Sequence, residues 1–196
     1  MPRVTRKEAE QHREDVIEAA ARLFRERGID GTSVPDLMAE AGLTHGAFYG
    51  HFSSKEELAA AACERAFAQG RALYDEIEHR HGADKDAARL EFIRNYTSRL
   101  HRDRPDLGCP APAIGGEIAR REFKGSVRAA FVAGVEAMAG RLQSLLSRKP
   151  MKSLSREQTL AVLAMLVGAQ MLARSTKGHA VSDEVLLAVR KRLLEE

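Results

Sequence analysis

The stretch LTHGAFYGHFSSKEEL, from Leu43 to Leu58, opens with two histidines, two glycines and three aromatic rings within ten residues, in a chain that is 5% aromatic and has no tryptophan. Histidine, threonine and tyrosine carry the donors and acceptors that meet base edges and phosphate oxygens. If the stretch turns as a short helix, Phe48 and Phe52 share one face and enter a core with Leu37, Met38 and Leu43. Thr44, His45, Gly46, Tyr49 and Gly50 then lie on the outer face. Thr44 and the free N–H groups of the first turn suit a phosphate, His45 a base edge or a phosphate, and Tyr49 a phosphate or a thymine methyl. Lys55, just beyond, offers a flexible point charge to a phosphate. Gly46 and Gly50 each cost a helix about 1 kcal/mol relative to alanine, a cost with little reason in an element that only packs. His45 and His51 as half-exposed histidines, and Tyr49 as a local packing ring, are competing readings that composition and spacing leave open.

Other reactive side chains are sparse. Cys63 lies in the alanine-rich run LAAAACERAF and reads as packing. Cys109 sits in RPDLGCPAPAIGG, after Arg102 and Arg104, which would lower a thiol pKa if they approached it in space. The competing reading is a small buried hydrophobe ahead of Pro110. His79 and His81, two apart, do not share a helical face, and there is no glycine-rich phosphate loop, metal-ligand cluster or activated nucleophile. The expectation is a protein that is not an enzyme and needs no cofactor or metal.

Bulk properties set further bounds. A chain of 196 residues can bury a core without staples, and two cysteines make no disulfide framework, so a reducing cytoplasm is expected. The N-terminus, with Arg3, Arg6 and Lys7, lacks the apolar segment of a signal peptide. The most apolar run, LAVLAMLVGAQMLA, is too short for a membrane span and contains Gln170. The net charge is +3, but residues 1–58 hold 8 Lys/Arg against 11 Asp/Glu, a formal −3. Any nucleic-acid contact by the N-terminal part must therefore come from a local patch, helped by an N-terminal arm that could equally be a solubilising tail.

The elements that must position these residues read as helices throughout, with apolar residues at three- and four-residue spacings. The expected fold is all-α: a first helix over Lys7–Arg27 stopped by Gly28, a short one capped by Ser33, and a recognition helix capped by Thr44. A long helix follows, capped by Ser53 or Ser54 and running to about His79. Further helices are expected over Asp84–His101, Ala113–Arg121 and Glu122–Leu146, the last ended by Lys149 and Pro150. Ser155 and Ser182 would cap the final two. Two short helices joined by a tight turn make a helix-turn-helix, so residues 1–53 form a candidate DNA-binding domain and 54–196 a regulatory and dimerisation domain. The helix from Ser155 is apolar nearly all round, with Ala161, Ala164, Gly168 and Ala169 permitting close approach. A homodimer through the last two helices is the preferred reading over a central monomer core helix.

The run VIEAAARLFRERGIDGTSVPDLMAEAGLTHGAFYGHFSSKEEL closely resembles the N-terminal DNA-binding domain of the tetracycline-repressor (TetR) family, through ARLF, ERG, TSV, EAGL, FYGHF and SKEEL. The C-terminal portion resembles, less specifically, the subgroup associated with the LmrA and YxaF regulators, through GCPAPAIGGEIAR, VRAAF and SDEVLLAVRKRL. The family resemblance implies an all-helical homodimeric repressor of a palindromic double-stranded DNA operator. Ligand binding between the middle helices would swing the helix after the head and release the DNA. It also implies phosphate contacts at Ser33, Thr44, Ala47, Tyr49, His51 and Lys55, and base contacts at His45, Gly46, Tyr49 and Gly50, where Gly50 departs from members with a bulky ring. An apolar pocket is expected along Phe67, Phe92, Tyr96, Phe131 and Met165, with Cys109 nearby, for a neutral or cationic small hydrophobic effector. A Cys109-based electrophile sensor and a helical interaction module without DNA binding are the alternatives.

Overall fold

The computed structural model describes residues 5–121, 123, 125–146 and 154–195; Arg3, Glu122, Lys149 and Pro150 lie outside them. Regular structure among the described residues is entirely helical: α1 (Arg6–Arg27), α2 (Val34–Glu40), α3 (Lys55–His81), α4 (Lys85–Tyr96), α5 (Arg99–Asp103), α6 (Pro110–Arg120), α7 (Ser126–Leu146), α8 (Arg156–Ser175) and α9 (Ala180–Glu195). Two 3₁₀ segments, His45–Gly50 and Pro105–Leu107, complete it.

Local chemistry sets most of the boundaries. Thr5 with Glu8, Ser33 with Asp36 and Ser155 with Gln158 form reciprocal capping boxes at α1, α2 and α8. At α3 the two expected caps merge: Ser54 Oγ accepts from the Glu57 N–H, and the Glu57 carboxylate accepts from the Ser53 N–H. Gly28 stops α1 at φ +82, a conformation that disfavours other residues. A Cβ there would also lie 2.7 Å from Glu117 Oε1 on α6.

Several boundaries differ from the sequence reading; α7, expected from Glu122, begins at Ser126. The helix expected over 84–101 breaks at Thr97, whose hydroxyl turns back to the Ile93 carbonyl at 2.6 Å. Arg190 of α9 donates to Thr97 Oγ1 and O, and Ser98 then caps α5. α6 starts at Pro110, where proline's missing N–H is harmless, rather than at Ala113. Ser182 does not cap the last helix; it is buried within α9 and donates to the Ala173 carbonyl at 2.6 Å. The recognition segment is 3₁₀, and the Thr44 side chain makes no cap hydrogen bond.

The long α3 packs chiefly on α1 and α7 and serves as the spine of the molecule. One continuous core runs from Val16, Leu37, Phe48 and Phe52 of the head through Leu58 and Phe67 to Leu142 and Leu166 of the larger bundle. α3 and α7 meet closely at Gly134, where a Cβ would fall 2.1 Å from the Phe67 ring. Alanine in a helix ordinarily gains up to about 1 kcal/mol over glycine, yet here it must displace a buried ring. Gly134→Ala is therefore expected to lower stability by about 1–3 kcal/mol in urea unfolding.

Candidate nucleic-acid interface and effector cavity

Thr44, His45, Gly46, Tyr49 and Gly50 are all solvent-exposed, Tyr49 at 71%, while Phe48 and Phe52 of the same segment are buried with ring centroids 5.7 Å apart. Tyr49 is held upright by its edge contact with Phe48 at 5.3 Å and stands 6.4 Å from the His45 ring. A Cβ at Gly46 or Gly50 would meet nothing within 4 Å, and neither glycine has a positive φ. Packing inside this chain thus gives no reason for either glycine. Ala47, His51 and Lys55 are half-buried at the border of this surface. His51 stands 6.3 Å from His12, and the Arg13 guanidinium lies 5.0 Å over Phe52. Partial burial lowers the Lys55 pKa. Ser33 is engaged with Asp36, donating from its hydroxyl at 2.5 Å, and these hydrogen bonds hold the Asp36 carboxyl below its usual range.

The head's formal negative charge is partly offset by pairing. Glu14 and Glu18 pair with Arg65 of α3, Glu40 with Arg22, and Asp30 with Arg121. The pairs are exposed or half-exposed, so they add little stability; their consequence is that these acids are taken up away from the 45–50 segment.

A cavity of about 590 Å³ lies in the larger bundle, walled by α3, α4, α5, the 105–110 segment and α7. Phe67, Phe92, Tyr96 and Cys109 line it; Phe131 and Met165 do not. Phe131 packs its edge on Phe67 at 5.7 Å, one layer back, and Met165 is half-buried against the core. The lining also holds charges that the sequence reading did not include, among them Arg71, Arg104 and Arg141. Leu73, Leu100 and Leu107, all exposed, belong to the same lining.

Cys109 lies in a different electrostatic setting from the one its neighbours in sequence suggest. Arg102 pairs with Asp103 and Asp183, and Arg104 with Asp106. Burial pushes the Cys109 thiol up, outweighing Tyr96, Arg174 and Arg25. The neutral His101 imidazole donates from Nδ1 to the Tyr96 carbonyl at 2.8 Å and accepts from the Cys109 N–H at Nε2, 2.9 Å. That ring is not placed as a base for the thiol.

Two groups tie the head to the larger bundle, the first of them at the cavity wall. Arg25 is 6% exposed and donates to the Ala21 carbonyl at 2.9 Å, to the Gly108 carbonyl at 3.0 Å and to Gln69 Oε1 at 2.6 Å. Gly108 and Gln69 both line the cavity. Glu117, on α6, accepts from the Ile29 and Asp30 N–H groups at 2.7 and 3.1 Å, satisfying backbone donors between α1 and α2.

Residues 16–62 match the profile described as "Bacterial regulatory proteins, tetR family". The chain's N-terminal head is a tetR-family domain. It is 47% identical over 58 residues to the HTH-type transcriptional regulator TtgR of Pseudomonas putida, a match covering 30% of this chain and 28% of TtgR. The match spans less than two fifths of the length of these curated relatives, 28% of TtgR and 27% of AcrR of Shigella flexneri among them. The likeness of fold is broader. Reduced Escherichia coli NemR superposes with a TM-score of 0.77 over 93% of this chain and 95% of that one, at 20% identity. A TetR regulator from Chloroflexus aurantiacus gives 0.72 over 96% and 95%, at 27% identity.

Sequence reading missed Arg25, Glu117, Arg174 and His101 as structural groups. A weak signal existed for Arg25: it follows Ile17 and Ala21 at four-residue steps, on the edge of the buried stripe of the tetR-family head. His101 left no such trace. Burial lowers its pKa from 6.5 to about 4, so the unfolded chain binds a proton more readily than the folded one between those values. Stability should fall as pH drops from about 6.5 to about 4, by about 3 kcal/mol in all from this group. Urea unfolding at several pH values checks it, and His101→Gln should remove most of that dependence.

Proposed function

We propose that this protein is a transcriptional repressor that reads a palindromic operator as a homodimer and lets go when a small lipophilic effector fills the cavity. The observation that carries the reading is the surface of Thr44, His45, Gly46, Tyr49 and Gly50: donors, a ring and two glycines that this chain's own packing does not require. The tetR-family head and the regulator names of its relatives support the same reading. Residues 1–53 act as the reading head and 54–196 as the regulatory part. Thr44, Ala47, Tyr49, His51, Lys55 and the cap at Ser33 hold phosphates, and His45, Gly46, Tyr49 and Gly50 meet the bases. Such a protein works on the chromosome, in the cytoplasm; no helix among the described residues is long and apolar enough to cross a membrane.

Dimerisation uses α8 and α9. Val162, Leu163 and Leu166 of α8 and Leu186 and Leu193 of α9 are buried within the chain, while Leu160, Met171, Leu172, Val181 and Leu187 remain exposed on the same two helices. Ala161 and Ala164 are exposed between them. A two-fold axis buries such a face against its own copy. Release then passes from the cavity wall to the head: an effector that shifts Gln69 or Gly108 pulls on the Arg25 guanidinium, and through it on α1. Release by Cys109 chemistry is the weaker alternative, because burial keeps that thiol protonated.

Gel shift on the DNA upstream of the gene tests the reading. Lys55→Glu, or His45→Ala with Tyr49→Phe, should weaken binding by about tenfold or more with the dimer intact; unchanged binding to every upstream site would leave a helical interaction module instead. Leu172→Glu with Leu187→Glu should give a monomer by sedimentation and lose the operator, because the two half-sites are no longer linked.

A further inference from the structure

The cavity has one corner whose polar groups are unfinished. Tyr74 and Tyr96 are 8% and 6% exposed and both belong to the lining, yet the Tyr74 hydroxyl has no hydrogen-bond partner and the Tyr96 hydroxyl has only the weak Cys109 thiol. Their rings are fixed: Tyr74 stacks on Phe92 at 4.6 Å, and Tyr96 packs between Phe92 at 5.7 Å and His101 at 4.6 Å. The Cys109 thiol lies beside the Tyr96 hydroxyl. A buried hydroxyl without a partner carries its full desolvation cost, which a bound acceptor relieves.

Two guanidiniums stand beside this corner. Arg25 and Arg174 flank the Gly108–Cys109 segment: Arg25 donates to the Gly108 carbonyl, and Arg174 Nη2 lies 3.0 Å from where a Gly108 Cβ would stand. Arg25 hydrogen-bonds only to neutral oxygens. Arg174 donates to the His101 carbonyl at 3.0 Å, and its Nε and Nη1 are buried with no partner. Among the described residues neither guanidinium is hydrogen-bonded to a carboxylate, though Glu18 and Asp106 act on Arg25 at longer range; the fields of both arginines reach Cys109 and that of Arg174 reaches Tyr96. Glu76 is the one carboxylate in the lining; of its arginines, Arg104 pairs with Asp106 and Arg141 with Asp75 and Glu78.

We propose that the cavity takes a lipophilic organic anion, its ring or chain against Phe67, Ile77, Phe92 and Met138 and its carboxylate or phenolate on the Tyr74 and Tyr96 hydroxyls. The neutral or cationic effector expected from sequence is thereby replaced by an anionic one. Arg174, half-buried with no carboxylate acting on it among the described residues, lowers the cost of bringing an anion out of water and raises it for a cation. Burial holds both phenols well above their ordinary pKa, so they remain donors. The exposed Leu73, Leu100 and Leu107 suit entry of an apolar body. The inference rests on the cavity being the effector site, and is tested without DNA, so its failure and failure of the operator reading are distinguishable.

The probes are pyrenebutyrate, pyrenebutyramide and pyrenebutylamine, which share one apolar body and carry an anion, a neutral amide and a cation. Fluorescence titration of the full chain should show the acid binding about tenfold tighter than the amide, with the amine weakest. Tyr74→Phe with Tyr96→Phe should reduce the preference for acid over amide by about tenfold and leave the pyrene-body contribution in place. Because the Tyr74 hydroxyl is unpartnered and that of Tyr96 meets only a weak thiol, the double variant should melt no lower than the parent. Equal binding of the three probes, preference for the amine, binding by none of them, or an unchanged acid preference in a folded double variant would overturn the proposal.

Discussion

The Arg25 guanidinium is the contact on which the rest of the molecule's organisation turns. A charge placed at 6% exposure is costly unless its donors are satisfied, and Arg25 satisfies them on three elements at once: its own helix, Gln69 of α3 and the Gly108 carbonyl ahead of α6. The position of the head is therefore fixed by the cavity wall. Glu117 makes a second tie from the same side, holding the backbone between α1 and α2 through donors that would otherwise lack partners. With both ties made to residues in or next to the 105–120 segment, the head and that segment move together or break a buried hydrogen bond.

The segment between Thr97 and Cys109 touches the first, fourth, eighth and ninth helices. Its inner side walls the cavity, Arg102 pairs with Asp183 of α9, Arg174 of α8 reaches the His101 carbonyl, and Gly108 takes Arg25. It is built from a one-turn helix, a 3₁₀ turn and a proline-started helix, so few hydrogen bonds of its own ladder hold it. Its geometry is set by the elements around it, which makes it sensitive to what occupies the cavity and to what α8 and α9 pack against.

Legibility from sequence followed the range of the interactions. The capping boxes at Ser33 and Ser155, the stop at Gly28 and the burial of Phe48 and Phe52 are written within four residues and were readable. The break at Thr97 was not, because the Asp84–His101 pattern continues through it and the Thr97 carbonyl freed there accepts from Arg190, 93 residues away. Phe131 illustrates a different limit: periodicity placed it inward, but only the packing of Phe67 in front of it shows that it backs the cavity wall.

By itself the sequence determined that the chain is helical, where most helices begin, which rings of the 43–52 stretch turn inward, and that the head carries the tetR-family pattern. These depend on local backbone and burial preferences that act over one or two turns. Tertiary structure alone decided that Cys109 is shielded rather than activated, that its sequence neighbours Arg102 and Arg104 are neutralised elsewhere, and that Arg25 and Arg174, from the first and eighth helices, supply the charge around it. Electrostatic energy depends on distance and dielectric in space, and neither can be counted along the chain.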